Sequence, residues 1–131
     1  MKGFTKSQLA SLARALGKRH GVLSSEIRAE LLRSGDQRHI DLAGQVHDRG
    51  EEAVANELAD LEHVLGERHL RELREVEAAR SRLAAGSIDH CADCGESIGF
   101  ERLMANPVAV RCVECQAVHE KQQARNSAPA T

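Results

Sequence analysis

The sequence predicts a mainly α protein: a long antiparallel helical hairpin of coiled-coil character, then a small unit built on four cysteines, then a short C-terminal helix. Three observations predict it. Leucine and valine recur at spacings of three, four and seven along two long stretches, which marks one apolar face of a helix. Phe4 and Phe100 are the two aromatic residues, too few to build a large globular core. The four cysteines fall late in the chain as two closely spaced pairs.

The first helical stretch opens at Thr5, which forms a capping box with Gln8 three residues on. Leu9, Leu12, Leu16, Leu23, Ile27 and Leu31 then share one face. Gly17 and Gly21 interrupt it, and each glycine costs a helix about 1 kcal/mol against alanine, so a kink or short break is predicted at "GKRHG". Ser34-Gly35 stops the helix, glycine supplying the left-handed conformation past the last turn. Residues 35–50 read as polar and irregular. A second helix is predicted over 51–85, with Val54, Leu58, Leu61, Leu65, Leu73, Val76 and Leu83 along its seam. Its pattern loosens near Gly66, and Gly86 ends it. At 1.5 Å per residue it would be roughly 50 Å long. Two such helices joined by a short connection pack antiparallel. A seam of about two apolar positions in seven fits a two-stranded coiled coil better than a bundle. The predicted organisation is an N-terminal segment and hairpin over 1–86 with its tip near 36–53, a cysteine-bearing unit with its helix over 87–125, and a disordered tail over 126–131.

Composition narrows the function. The formal net charge is -2, which argues against a free-standing binder of phosphate backbones. No apolar run is long enough for a signal peptide or a membrane span, so a cytoplasmic protein is expected, without membrane association. In that reducing compartment cysteines are rarely disulfides. No Ser/His/Asp frame, phosphate-cradling glycine loop or open metal site is visible, so no enzyme is expected.

The cysteines form "CADC" (Cys91, Cys94) and "CVEC" (Cys112, Cys115), seventeen residues apart. Two residues between cysteines let both thiolates bind one tetrahedral zinc, and the loop brings the second pair round to the other side. Four thiolates close the site to a catalytic water, so one structural Zn2+ is expected. A redox CxxC would need a βαβ context that is absent, whereas an iron–sulfur cluster fits the ligand type as well. His90 and His119 lie beside the pairs and offer alternative ligands; the five other histidines are scattered, mostly on predicted wet faces. Ile98, Phe100, Leu103, Met104 and Val108 are the expected mini-core of a unit too small to fold without its metal. Arg68, Arg71, Arg74, Arg80 and Arg82 give the second helix a basic side, but interleaved glutamates dilute it and no stacking aromatics accompany it.

From Cys91 onward the chain closely resembles the zinc finger of the DksA/TraR family of bacterial transcription regulators. The shared frame is carried by Cys91, Cys94, Gly95, Ile98, Arg102, Leu103, Ala105, Pro107, Cys112 and Cys115. The resemblance extends upstream through the hairpin, covering about residues 5–125. It implies an antiparallel coiled coil projecting from a zinc-bearing end into the secondary channel of RNA polymerase. It further implies an acidic fingertip that alters open-complex stability, placed here on Asp48, Glu51 and Ala53 of "DRGEEA". The physical alternative for these acids is helix capping, Asp48 as N-cap and Glu51 and Glu52 in a first turn.

Two departures from the family pattern stand out. Glu51 occupies a position where aspartate is usual, one methylene further out. Glu75, Asn106 and Gln116 occupy places where members responsive to ppGpp carry cations, which predicts a lost or weak response. The competing readings are a zinc-ribbon nucleic-acid binder and a polymerase-binding member that is inert and competes with an active relative. A monomer is expected.

Overall fold

The computed structural model of the chain describes residues 3–50 and 52–127. Five α-helices follow one another: α1 (Lys6–Arg33), α2 (Gln37–Arg49), α3 (Glu62–Ala85), α4 (Phe100–Ala105) and α5 (Val113–Ser127), with a 3-10 turn at Ala59–Leu61 before α3. The architecture is the mainly helical hairpin with a cysteine cluster and C-terminal helix that the sequence predicts.

The capping box forms as expected: the Thr5 N–H donates to Gln8 Oε1 (2.9 Å) and the Gln8 N–H to Thr5 Oγ1 (3.1 Å). Helix α1 then runs unbroken through both glycines, contrary to the expected kink. Leu12, Leu16, His20, Leu23, Ile27 and Leu31 are all buried along one face, so each turn flanking Gly17 and Gly21 is pinned by a packed side chain. Burying a leucine contributes about 1.5–3 kcal/mol, which exceeds the cost of a helical glycine.

Residues 35–50 are not irregular. After Gly35 (φ 72°) the Asp36 carboxylate accepts the Arg38 N–H (2.9 Å) and starts α2. Ala43 and Val46 bury against α1, so α2 folds back along the first helix. Nor does the second helix begin near 51. Residues 52–58 form turns, and α3 starts at Glu62. Gly66 (φ 78°, ψ 150°) departs from helical geometry inside α3, where the sequence pattern loosens. Residues 62–85 would span about 36 Å rather than 50 Å. The C-terminus of α3 is closed as expected by Gly86 (φ 77°), with the Ser87 N–H donating to Arg82 O (2.9 Å).

Helices α1 and α3 pack antiparallel over two separate cores. The first joins Leu12, Leu16 and Leu23 of α1 and Val76 and Ala79 of α3 to Ile88, Ile98, Leu103 and Ala109 of the cysteine-bearing unit. Phe4 meets Phe100 edge-on there, ring centres 5.7 Å apart, so the start of the chain is tied to the same end. The second core joins Ile27 and Leu31 to Ala43, Val46, Val54, Leu58, Leu65, Leu70 and Leu73 at the other end. Met104, expected in the mini-core, is 40% exposed, because Leu103 takes the inward position of the short helix α4. The tail expected from 126 is helical as far as Ser127, and residues 128–131 lie outside the described residues.

Candidate functional site

The two cysteine pairs sit on tight knuckles whose backbone bonds are internally closed. Cys91 N–H donates to Glu96 O (2.8 Å) and Gly95 N–H to Cys91 O (3.0 Å), with Gly95 at φ 77°. The Ala92 N–H reaches Val110 O (2.8 Å), joining the first knuckle to the segment leading into the second. Asp89 is buried and accepts from the Ser97 hydroxyl (2.7 Å) and the Gly99 N–H (2.8 Å), a carboxylate that fixes the loop between knuckle and α4. The Arg102 Nε donates to Arg111 O (3.0 Å), and Arg111 pairs with Asp93 (2.8 Å). Sequence reasoning missed Asp89; an acid directly before an HCxxC knuckle signals nothing on its own.

The sulfurs of Cys91, Cys94, Cys112 and Cys115 all lie within 4.8 Å of one another, and Cys94 and Cys112 are 3.9 Å apart. Four sulfurs at the usual Zn–S length on a tetrahedron stand about 3.8 Å apart, so the cluster fits one zinc ion. The thiols shift one another. The backbone N–H groups of Cys112 and Cys94 draw the Cys91 thiol down to about 6, whereas the neighbouring Cys112 sulfur pushes Cys115 up. Four sulfurs this close ionise together when a dication joins them. His90 and His119 are not members of the cluster.

Asp48 lies exposed in the last turn of α2, Ala53 is exposed in the turn region, and Glu51 lies outside the described residues. Arg49, which sequence reasoning passed over, organises this stretch. Its guanidinium meets Glu52 (3.1 Å), Glu57 (2.8 Å) and the Ala53 carbonyl (2.9 Å). Glu57, chiefly, with Glu52 holds the Arg49 cation firmly charged, and Arg49 in turn holds the Glu57 carboxyl below its usual range. A cation alone among acids was the signal available. Asp48 does not serve as an N-cap, since it lies in a helix's last turn.

The segment does not stand at the far end of the hairpin. The Val54 and Ala55 N–H groups donate to the Glu77 carboxylate (2.8 and 3.3 Å), and Glu77 stands 3.7 Å from Nε2 of His20, midway along α1. Helix α2, about 20 Å of fold-back, carries the acids there, and the far end is made by the 34–36 turn and residues 59–66. His20, one of the five scattered histidines, is 2% exposed. Burial opposes ionisation of Glu77, but His20 and the two N–H groups outweigh it and hold its carboxyl below the usual value.

Glu75, Asn106 and Gln116 come together. They line one surface groove of about 530 Å³ with Arg102 and Arg111. Asn106 accepts from Arg19 (3.1 Å) and Gln116 donates to Glu120 (3.2 Å). Among the described residues no helix is long and apolar enough to cross a membrane.

The sequence profile of the prokaryotic dksA/traR C4-type zinc finger matches residues 85–121, which hold both cysteine pairs. The chain is 30% identical over 92 residues to the RNA polymerase-binding transcription factor DksA of Caulobacter vibrioides, covering 70% of this chain and 60% of the relative's length. It is 32% identical over 73 residues to the protein of that name from Haemophilus influenzae, covering 56% of this chain and 50% of the relative. The Escherichia coli protein of that name is 26% identical over 122 residues, 91% of this chain and 78% of the relative. Four sulfurs placed for one zinc, on knuckles that match this finger and in a chain similar to these factors beyond it, identify the cysteine-bearing unit: residues 85–121 are a C4-type zinc finger of the dksA/traR kind.

Proposed function

We propose that this chain is a bacterial transcription regulator that binds RNA polymerase directly. Its hairpin enters the secondary channel, where the acidic segment with Asp48, Glu51 and Ala53 alters the stability of open promoter complexes. The observation that carries the reading is the similarity of both hairpin and finger to RNA polymerase-binding factors. The exposure of Asp48 and Ala53 on a stretch braced by Arg49 supports the role of the segment. A carboxylate delivered near a catalytic magnesium accepts hydrogen bonds from basic groups or perturbs the ion's surroundings. The protein works as a monomer in the cytoplasm, catalyses no reaction itself, and responds weakly or not at all to ppGpp. The last point rests on Glu75, Asn106 and Gln116, which bring one acidic and two neutral groups to a groove they share with Arg102 and Arg111, where responsive members carry further cations.

The test is transcription in vitro from a ribosomal RNA promoter, with polymerase titrated by the parent and by Asp48→Asn. Regulation by the parent that disappears in the variant while polymerase binding persists is the expected result. Binding without effect in the parent points to Glu51 and to an inert competitor. Absence of polymerase binding, with salt-sensitive gel shifts on DNA or RNA alone, puts the zinc-ribbon nucleic-acid reading first.

A further inference from the structure

Residues 52–58 form no regular helix, so their backbone N–H groups need partners from elsewhere. Most bonds in the region are local: Gly50 N–H to His47 O, Glu52 N–H to Arg49 O, and Leu58 N–H to Val54 O and Ala55 O. Val54 and Ala55 are each 3% exposed, so water does not serve their N–H groups. Both instead donate to one side chain, Glu77, more than twenty residues away on α3. Arg49 meanwhile ties Glu52, Ala53 and Glu57 into one braced unit. The acidic stretch is therefore braced within itself, and among the described residues Val54 and Ala55 bond it to α3 through one carboxylate. His20 backs that carboxylate from α1, with its Nε2 buried and lacking a hydrogen bond at 3.7 Å, an ion-pair distance.

We propose that Glu77, backed by His20, is the positioning residue of the acidic segment: it docks the stretch bearing Asp48 and Ala53 at mid-hairpin and so sets where the acids meet the partner. This deepens the polymerase reading and rests on it for its functional consequence. The geometry carries the inference. Val54, Ala55 and Leu58 also pack into the far core, but apolar contacts tolerate sliding, whereas two N–H groups on two oxygens of one carboxylate fix a register. A partly buried carboxylate adds little net stability over an apolar side chain of similar size, so its use here is placement.

The experiment uses the full zinc-loaded chain and its Glu77→Ala and Glu77→Gln variants. Amide hydrogen exchange is read at Val54 and Ala55 and, as reference, at Leu16 and Val76; polymerase binding and transcription are measured in parallel. Glu77→Ala should raise exchange at Val54 and Ala55 roughly 10- to 100-fold, from the loss of charge-assisted hydrogen bonds. Leu16 and Val76 should stay protected. Polymerase binding should persist while the effect on transcription falls, and Glu77→Gln, which keeps one acceptor oxygen, should lie between. Should Glu77→Ala fail to fold, Glu77→Gln carries the same comparison. Unchanged exchange at Val54 and Ala55 overturns the anchor. Raised exchange with an intact transcriptional effect overturns positioning, and so does a parallel loss of binding and effect. If the parent does not bind polymerase, the polymerase reading fails, and exchange still decides whether Glu77 docks the segment.

Discussion

Replacing Cys94 by serine removes one zinc ligand at an exposed site, and so avoids the hole that a change at buried Cys91 would open in the core. Its consequences follow from the division of the hydrophobic interior. The cysteine-bearing unit lends Ile88, Ile98 and Leu103 to the first core, and each buried side chain of this size contributes about 1.5–3 kcal/mol, roughly 5–9 kcal/mol together. That is comparable to the whole stability of a small domain. Nothing in the two short knuckles replaces the roughly 10–16 kcal/mol that a structural zinc contributes in small finger peptides. Loss of the ligand should therefore loosen the finger and uncover Leu12, Leu16, Val76 and Ala79 on the adjoining half of the hairpin. Ile27, Leu31, Leu70 and Leu73 belong to the second core and keep their cover. The assay is metal analysis of the purified protein combined with residue-resolved amide exchange. The parent should hold about one zinc per chain. In Cys94→Ser, exchange should accelerate at the finger and at Leu16 and Val76 far more than at Ile27 and Leu73. A zinc-depleted chain with unchanged exchange would refute the structural role of the metal. Uniform acceleration along both helices would refute the independence of the two cores.

Other consequences concern the glycines and acid stability. Gly21 lies inside α1, is exposed, and has nothing within 4 Å of where a Cβ would sit, so Gly21→Ala should raise the urea midpoint by an amount equivalent to about 0.5–1 kcal/mol. Gly66 has equal space but φ 78°, so Gly66→Ala should lower stability by about 1–2 kcal/mol; the same sign for both substitutions would contradict the backbone argument. Glu77 has a folded-state pKa below its ordinary value of 4.5, set by His20 on α1 and the N–H groups of Val54 and Ala55 against the pull of burial. Its contribution is thus fully present above pH about 4.5 and is lost as pH falls through the lowered folded value. Urea unfolding of the parent and Glu77→Gln from pH 7 to pH 3 should show their stabilities converging at the acidic end. A gap that stays constant would mean that the charge on Glu77 does not contribute.

Local chemistry made much of this protein readable in advance. The Thr5 and Gln8 capping box, the stops at Gly35 and Gly86 and the zinc ligands Cys91, Cys94, Cys112 and Cys115 each depend on residues a few positions apart, so spacing alone determines them. Tertiary structure decided the rest. Gly17 and Gly21 look like breaks until the leucines on either side are seen to be pinned by α3. Met104 and Leu103 are adjacent and both apolar, and packing against α1 chose between them. His20 and Glu77 are 57 positions apart, and nothing local announces that both would turn inward. Arg49 reads as one more charge in a polar loop until the chain folds round it. Above all, periodicity finds a helix but not the direction in which the chain leaves it. The turn at Gly35 sends α2 back along α1, and the Glu77 carboxylate gives the returning amides a place to bond. That long-range contact puts the acidic segment beside the hairpin rather than at its end, because a buried N–H must find its acceptor wherever the fold provides one.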